Sequence, residues 1–342
     1  MPIVWLGVGP KRYTMMAMKN LKAKLVATLC LAALCLTVGG CKRTTDDGHQ
    51  QRAIYYWRTN YNPTAWEQQF LHDHHIERLY LRLFDVVPND SYYYNERSAV
   101  PEATVTFSQS LPDKMEVVPV VFVSHEGLAA MHGQVANYAD KLLKRVDAIM
   151  AAQSKPYSEL QLDCDMYASQ HERFVSLCDA LRGLLHERGR QLNITVRLHQ
   201  LKNIDQLAAV VDRMTLMVYN TGRLQDVDTR NSILDIDDAM PYLYLVGQLP
   251  ANMDYAFPVY SWGVKFYGTW FDKLVNRADL ADTTSSDTLR FERGEVDQIE
   301  QVKALLRNKM SRRHTSSVIL YHLDEHNLKD YTYEEIEAVL DL

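Results

Sequence analysis

The chain has 342 residues and a mass of 39.4 kDa, with 47% hydrophobic residues, 23% charged, and only 14 Gly and 11 Pro. That composition excludes a collagen-like, low-complexity or wholly disordered chain. Residues 1–40 hold five of the 37 basic residues (Lys11, Arg12, Lys19, Lys22 and Lys24) and no acid, so the remainder sets 32 basic against 43 acidic residues, a net charge of −11. Such an acidic body argues against nucleic acid as a partner.

The N-terminus reads as an address. From Met18 a lysine-rich stretch precedes the apolar run Leu25 to Val38, followed by Gly39-Gly40-Cys41. A charged n-region, an apolar h-region and small residues make a signal peptide over 1–40, and the run is shorter than the roughly 20 residues a bilayer span needs. Val38-Gly39-Gly40-Cys41 resembles a bacterial lipobox, which implies diacylation of Cys41 and a bilayer as partner in the cell envelope, facing either the periplasm or the exterior. The alternative is an ordinary secreted protein cut nearby, with Cys41 free. Residues 1–17 read as an extension from a misassigned start. Residues 41–52 form a polar tether. With Cys30 and Cys35 removed, the body keeps Cys164 and Cys178, and no disulfide framework is implied.

Over 53–342, runs rich in Val, Ile, Leu and Tyr recur at 53–57, 77–86, 116–123, 159–163, 191–199, 213–219, 255–262 and 316–323, which predicts eight strands. Helical stretches lie between most of them. Capping boxes are expected at Thr64/Glu67, Ser169/Glu172 and Thr332/Glu335, and Gly189 fits a helix stop. The alternation, unbroken by a linker, points to a single α/β domain, a (β/α)8 TIM barrel, with a doubly wound open sheet as the competing fold. The long connections 86–115 and 263–295 follow strands and so lie on the face where barrels keep their sites.

In a barrel the outer strand face packs on helices, so polar residues at period two point to the axis. Gln161, Asp163 and Asp165 then share the inner face, as do Thr195, Arg197 and His199 on the next strand and Arg78, Tyr80 and Arg82 on an earlier one. Two aspartates about 6.5–7 Å apart on one strand tend to raise one pKa, which suits acid/base work. An ion network in which Arg82 and Arg197 neutralise them is the competing reading. Tyr219 either hydrogen-bonds a ligand or caps the core. Trp57, Tyr92, Tyr93, Tyr94, Trp262 and Trp270 fall at strand ends or in the long connections, where flat rings stack on sugar faces. His125, His199 and His322 sit near strand ends without metal-ligand spacing, and no P-loop, dinucleotide turn or nucleophile elbow is present, so neither metal nor cofactor is implied.

Leu160-Gln161-Leu162-Asp163-Cys164-Asp165-Met166-Tyr167 resembles the fourth-strand D-x-x-D-x-D-x-E signature of glycoside hydrolase family 18, the chitinase-like barrels. Met217-Val218-Tyr219-Asn220 resembles that family's Met-x-Tyr-Asp, and Val318 to Asp324 its last strand, with Tyr321 where the family has Trp. The chain also resembles lipoproteins of Bacteroides-type bacteria built on such a barrel. The resemblance implies a glycan-directed barrel in which Asp163 and Asp165 orient an acetamide beside Tyr219. It puts Tyr167 in the place of the general-acid Glu, and a phenol with an ordinary pKa near 10 is a poor acid at neutral pH. Glu126 and Glu325, each just past a strand end, are then the candidate proton donors. Gln161, Tyr167, Arg82, Arg197, His199, Trp57, Trp262 and Tyr321 are candidate substrate contacts. Three readings stay open: a glycosidase with an altered acid/base, a non-catalytic carbohydrate-binding protein, and an envelope scaffold.

Overall fold

The computed structural model describes residues 50–93, 96–275, 287–310 and 316–342. The expected signal peptide, Cys41 and most of the tether lie outside the described residues, as does Tyr94. Eight parallel strands form the sheet: β1 (Arg52–Tyr56), β2 (Arg78–Pro88), β3 (Glu116–Val123), β4 (Glu159–Cys164), β5 (Gln191–Arg197), β6 (Arg213–Met217), β7 (Met253–Pro258) and β8 (Val318–Tyr321). Each pairs with its sequence neighbours, and β1 pairs with both β2 and β8. With no free edge on β1, the sheet is a closed (β/α)8 barrel and the open-sheet alternative falls.

Every expected strand contributes to the barrel; the runs 213–219 and 316–323 are shorter, at Arg213–Met217 and Val318–Tyr321, and three further corrections are local. The run 191–199 ends at Arg197, because Gln200 accepts a hydrogen bond from the Arg197 amide (2.7 Å) and starts a 3-10 turn over Leu198–Asn203. The run 255–262 splits: β7 stops at Pro258, and Ser261–Tyr267 begins a separate antiparallel sheet with Trp270–Val275 and Asp287–Arg293, so the described part of the second long connection is largely strand. The capping box at Ser169 does not form. Gln170 accepts from the Tyr167 amide and donates to the His125 carbonyl (3.0 and 2.7 Å), which turns Ala168–Gln170 into a 3-10 turn and starts the helix at His171. The boxes at Thr64 and Thr332 are present, and Gly189 takes a left-handed φ of 66° after the helix His171–His186. In the first long connection, Ala99–Glu102 pairs antiparallel with the overhanging end of β2.

Two apolar layers follow from strand alternation. Leu160, Leu162 and Cys164 join the large cluster packed between strands and helices, while Tyr55, Tyr80, Val118, Val120, Met217 and Ile319 fill the barrel axis. The N-terminal end of the axis is closed by charge. Glu159 accepts from Asn193 (2.8 Å) and lies 3.4 and 3.7 Å from the guanidinium nitrogens of Arg78 and Arg213, and Arg213 reaches Asp254 at 2.6 Å. Burial raises the Glu159 pKa, and the two arginines pull it back. A buried network of this kind contributes specificity of packing more than net stability.

Candidate functional site

Above the axis core, at the C-terminal ends of the strands, lies a hollow of about 490 Å³. Its floor and walls come from β1 (Trp57, just past the strand), β4 (Asp163, Asp165), β5 (Arg197), β6 (Met217, Tyr219, Asn220) and β8 (Tyr321, His322), and the antiparallel sheet adds Trp262, Leu274 and Val275. The expected ladder on β4 is present and graded in depth. Gln161 is fully buried, accepting from the Tyr55 hydroxyl (2.8 Å) and donating to Thr215 (3.0 Å). Asp163, 4% exposed, accepts from the Thr195 hydroxyl at 2.6 Å. Asp165 stands at the mouth with its side chain 44% exposed, in an ion pair with Arg197.

The electrostatics of the two aspartates differ for a physical reason. Burial raises the pKa of Asp163, opposed by the Arg197 charge and the Thr195 hydrogen bond and aided by the Asp165 charge. Asp165 has a cation in direct contact. The competing ion-network reading is therefore half right: Arg197 neutralises Asp165, whereas Arg82 turns away to Asp85 (2.8 Å from Nε to Oδ1) and lies over the Trp57 ring at 5.9 Å. Arg82 is not among the lining residues.

Aromatic rings dominate the rest. Tyr321 stacks on Tyr219 with centroids 5.0 Å apart and meets Trp57 at 5.7 Å. Trp262 donates its indole N–H to the buried Glu292 (2.6 Å), which fixes the ring at the mouth. Burial raises the pKa of both tyrosines and lowers that of His322. The Tyr219 hydroxyl and the Nδ1 of His322 are buried without a hydrogen-bond partner.

Several candidate residues stand outside the hollow. Tyr167 is 60% exposed and packs on the His125 ring at 4.4 Å. His199 is exposed because the strand ends before it. Glu126 pairs with His125 (2.8 Å), and Glu325 is taken up by the Thr64 hydroxyl (2.7 Å) and Lys329 (2.5 Å), so neither lines the hollow. Tyr92 and Trp270 are exposed, at 90% and 79%, and are likewise absent from its walls. Conversely, Tyr260, Ser261 and Asn327 line it without having been singled out from the sequence. Tyr260 donates to Asn220 at 2.9 Å. Its place two residues beyond the end of β7 is the same strand-end signal that flagged Trp57, whereas Asn327, on the short helix Glu325–Leu328, leaves no such mark. Among the described residues no group of three His, Cys, Asp or Glu is placed to hold a metal ion.

No protein-family profile matches the chain, and no curated protein sequence does. Solved structures do. A chitinase from Chromobacterium violaceum superposes with a TM-score of 0.56 at 10% identity, covering 85% of this chain and 99% of that one. The fold is that of the chitinase-like barrels of glycoside hydrolase family 18. The spore cortex-lytic enzyme SleL of Bacillus megaterium (TM-score 0.52, 11% identity, 82% of this chain and 73% of that one) has it too. So does YKL-39, solved in the presence of chitooligosaccharides (0.53, 9%, 84% and 98%). Tyr167, which the sequence resemblance set in the place of a general acid, is an exposed phenol outside the hollow, and the described carboxyls that line the hollow are Asp163 and Asp165.

Proposed function

We propose that the hollow binds a glycan and that the chain is a glycan-directed barrel. The observation that carries this reading is the pair of buried, unpartnered polar atoms, Tyr219 Oη and His322 Nδ1, in a hollow walled by Trp57, Tyr321 and Trp262. Buried polar groups are nearly always hydrogen-bonded, and a sugar supplies both an apolar ring face for the aromatics and hydroxyl or amide groups for the two orphans. The chitooligosaccharides present with YKL-39, and the allosamidin bound to the Group IV chitinase of Ostrinia furnacalis, support an N-acetylated ligand.

Hydrolysis is the second reading, and Asp163 is what favours it. A proton donor is needed at the leaving oxygen, and Asp163 is the lining carboxyl whose environment favours the protonated form. Glu126 and Glu325, with their own partners outside the hollow, supply no such group without a rearrangement.

The test incubates the protein with N-acetylated and neutral oligosaccharides, reading binding by calorimetry and products by mass spectrometry, beside Asp165→Asn. Saturable binding without product supports the binding protein. Product from the wild type that Asp165→Asn abolishes supports the hydrolase. Absence of saturable binding to every glycan in the panel refutes both.

We propose in addition that Cys41 carries the lipid that tethers this barrel to the cell envelope, as the lipobox resemblance implies. The intact mass of the mature N-terminus tests it: a diacylglyceryl adduct at Cys41, lost in Cys41→Ala with release from the membrane fraction, is expected. An unmodified N-terminus overturns it.

A further inference from the structure

A second recess lies on the outer side of β2, away from the barrel axis. It has a volume of about 250 Å³ and sits between the overhang of β2 (Phe84, Val86), the edge strand Ala99–Glu102, and the helices His125–Ala130 and Val135–Ala152. Its walls are apolar, with Val100, Pro101, Met131 and Leu142 prominent. Tyr138 holds the recess together, its hydroxyl accepting from the Ala99 amide at 3.2 Å.

Two cations share this apolar recess, one helical turn apart on the same helix. Lys141 lies 5.3 Å over the Tyr138 ring, and the Arg145 guanidinium lies 5.2 Å over Phe84 while donating to Thr104 at 2.8 Å. Neither makes an ion pair with a described residue, whereas Lys144 on the same helix is paired with Asp140 at 2.7 Å. Arg145 Nε is buried and has no hydrogen-bond partner. An unsatisfied buried donor is costly and calls for an acceptor. In a recess where both charged groups are positive, the acceptor that fits is an anion.

We propose that this recess binds a small amphiphile with one anionic head, a medium-chain carboxylate, its tail against Val100, Met131 and Leu142 and its head between Lys141 and Arg145. The volume falls just below the range of roughly 300–1,000 Å³ typical of drug-sized ligand pockets, so a short chain fits and a full-length lipid tail does not. A glycan is disfavoured by the scarcity of polar groups on the walls, and the flat face of another protein cannot enter a recess of this size. The site is separate from the hollow over the barrel axis and shares no residue with it.

The experiment titrates the purified protein with octanoate, octanol and octylammonium by calorimetry. One equivalent of octanoate is expected, bound at least tenfold more tightly than octanol, the difference expected of a charge-assisted hydrogen bond; octylammonium is expected not to bind. Lys141→Met with Arg145→Gln should reduce octanoate to the affinity of octanol. Met131→Trp should fill the recess and abolish both. As a readout independent of that variant's folding, transferred nuclear Overhauser effects should link the octanoate chain to the Met131 methyl. Absence of saturable octanoate binding, equal affinity for octanol, or chain contacts to residues elsewhere overturns the proposal.

Discussion

Replacing Arg197 with Met probes the charge state of the site directly. The substitution keeps most of the apolar stem and removes the cation that contacts Asp165 and lowers the pKa of Asp163. Asp165 is nearly half exposed, so its share of the loss is small, at most about 1 kcal/mol. Asp163 is 4% exposed, and stripping the partner from a buried charge costs about 3–5 kcal/mol when the charge cannot be relieved. It can be relieved here, because the carboxyl takes up a proton. The sign follows from linkage: a carboxyl whose folded pKa lies above its unfolded value stabilises the fold below the unfolded value, near 4, and that contribution is lost as pH rises through the folded pKa. Burial already places Asp163 in this class in the wild type, and the variant moves it further up. The expected loss is therefore about 2–4 kcal/mol at pH 8 and smaller at pH 5. For a unit of about 300 residues, with an unfolding entropy of roughly 0.6 kcal/mol per kelvin, the pH 8 figure is a fall in Tm of about 3–7 K. Urea denaturation followed by circular dichroism at the two pH values measures it. A loss equal at both, or larger at pH 5, would refute the assignment of Asp163 as the buried, proton-seeking carboxyl.

Three further outcomes follow from individual contacts. Tyr219→Phe removes an unpartnered buried hydroxyl, so the free protein should gain up to about 1 kcal/mol in urea denaturation while glycan affinity by calorimetry falls; a loss of stability with unchanged affinity would contradict the reading of that hydroxyl. Glu292→Leu removes the acceptor of Trp262, Ser232 and Arg290 and leaves a half-buried guanidinium short of its anion. It should cost about 3–5 kcal/mol and red-shift tryptophan emission, and a change under 1 kcal/mol would mean the carboxylate is dispensable. Gly127→Ala would place a Cβ 2.2 Å from the Val86 carbonyl oxygen, so the helix after β3 must shift, at about 1–3 kcal/mol, measured by thermal denaturation beside the unhindered control Gly183→Ala.

The barrel was legible because its inner and outer faces obey different rules. Leu160, Leu162 and Cys164 alternate with Gln161, Asp163 and Asp165, and only a strand with helices on one side and an axis on the other explains that text. Asp163, Asp165, Arg197, Trp57, Tyr219 and Tyr321 were brought to one hollow by the same alternation. What was not legible lies where the strand rule stops. His199 follows a strand that a single glutamine side chain ends early, at Arg197, and Glu126 and Glu325 lie on the first turns of helices, where Glu126 is taken by its neighbour His125 and Glu325 by the distant Thr64 and by Lys329. The antiparallel sheet was read as loop because its strands alternate weakly: Lys265, Lys273 and Arg290 sit among its aromatics. Its contribution to the mouth, through Trp262 and Leu274, could not be placed from periodicity alone.

The pairing of β1 with β8 sets the order in which this chain can become a barrel. Residues 52–56 are bonded on one side to a strand that follows within some twenty residues and on the other to Val318–Leu320, near the end of the chain. During synthesis the outer edge of β1 therefore stays open until Val318–Tyr321 has been made, and the same holds for β7, whose second partner is also β8. The Glu67 carboxylate, which accepts from the amides of both Thr64 and Glu325, adds a seam between the first helix and the last strand's loop that forms only at that moment. An incomplete chain is thus an open sheet with two adhesive edges, a state prone to self-association. Truncation upstream of Val318 should abolish soluble protein, and the half-made molecule depends on prompt completion or on being held apart from its copies.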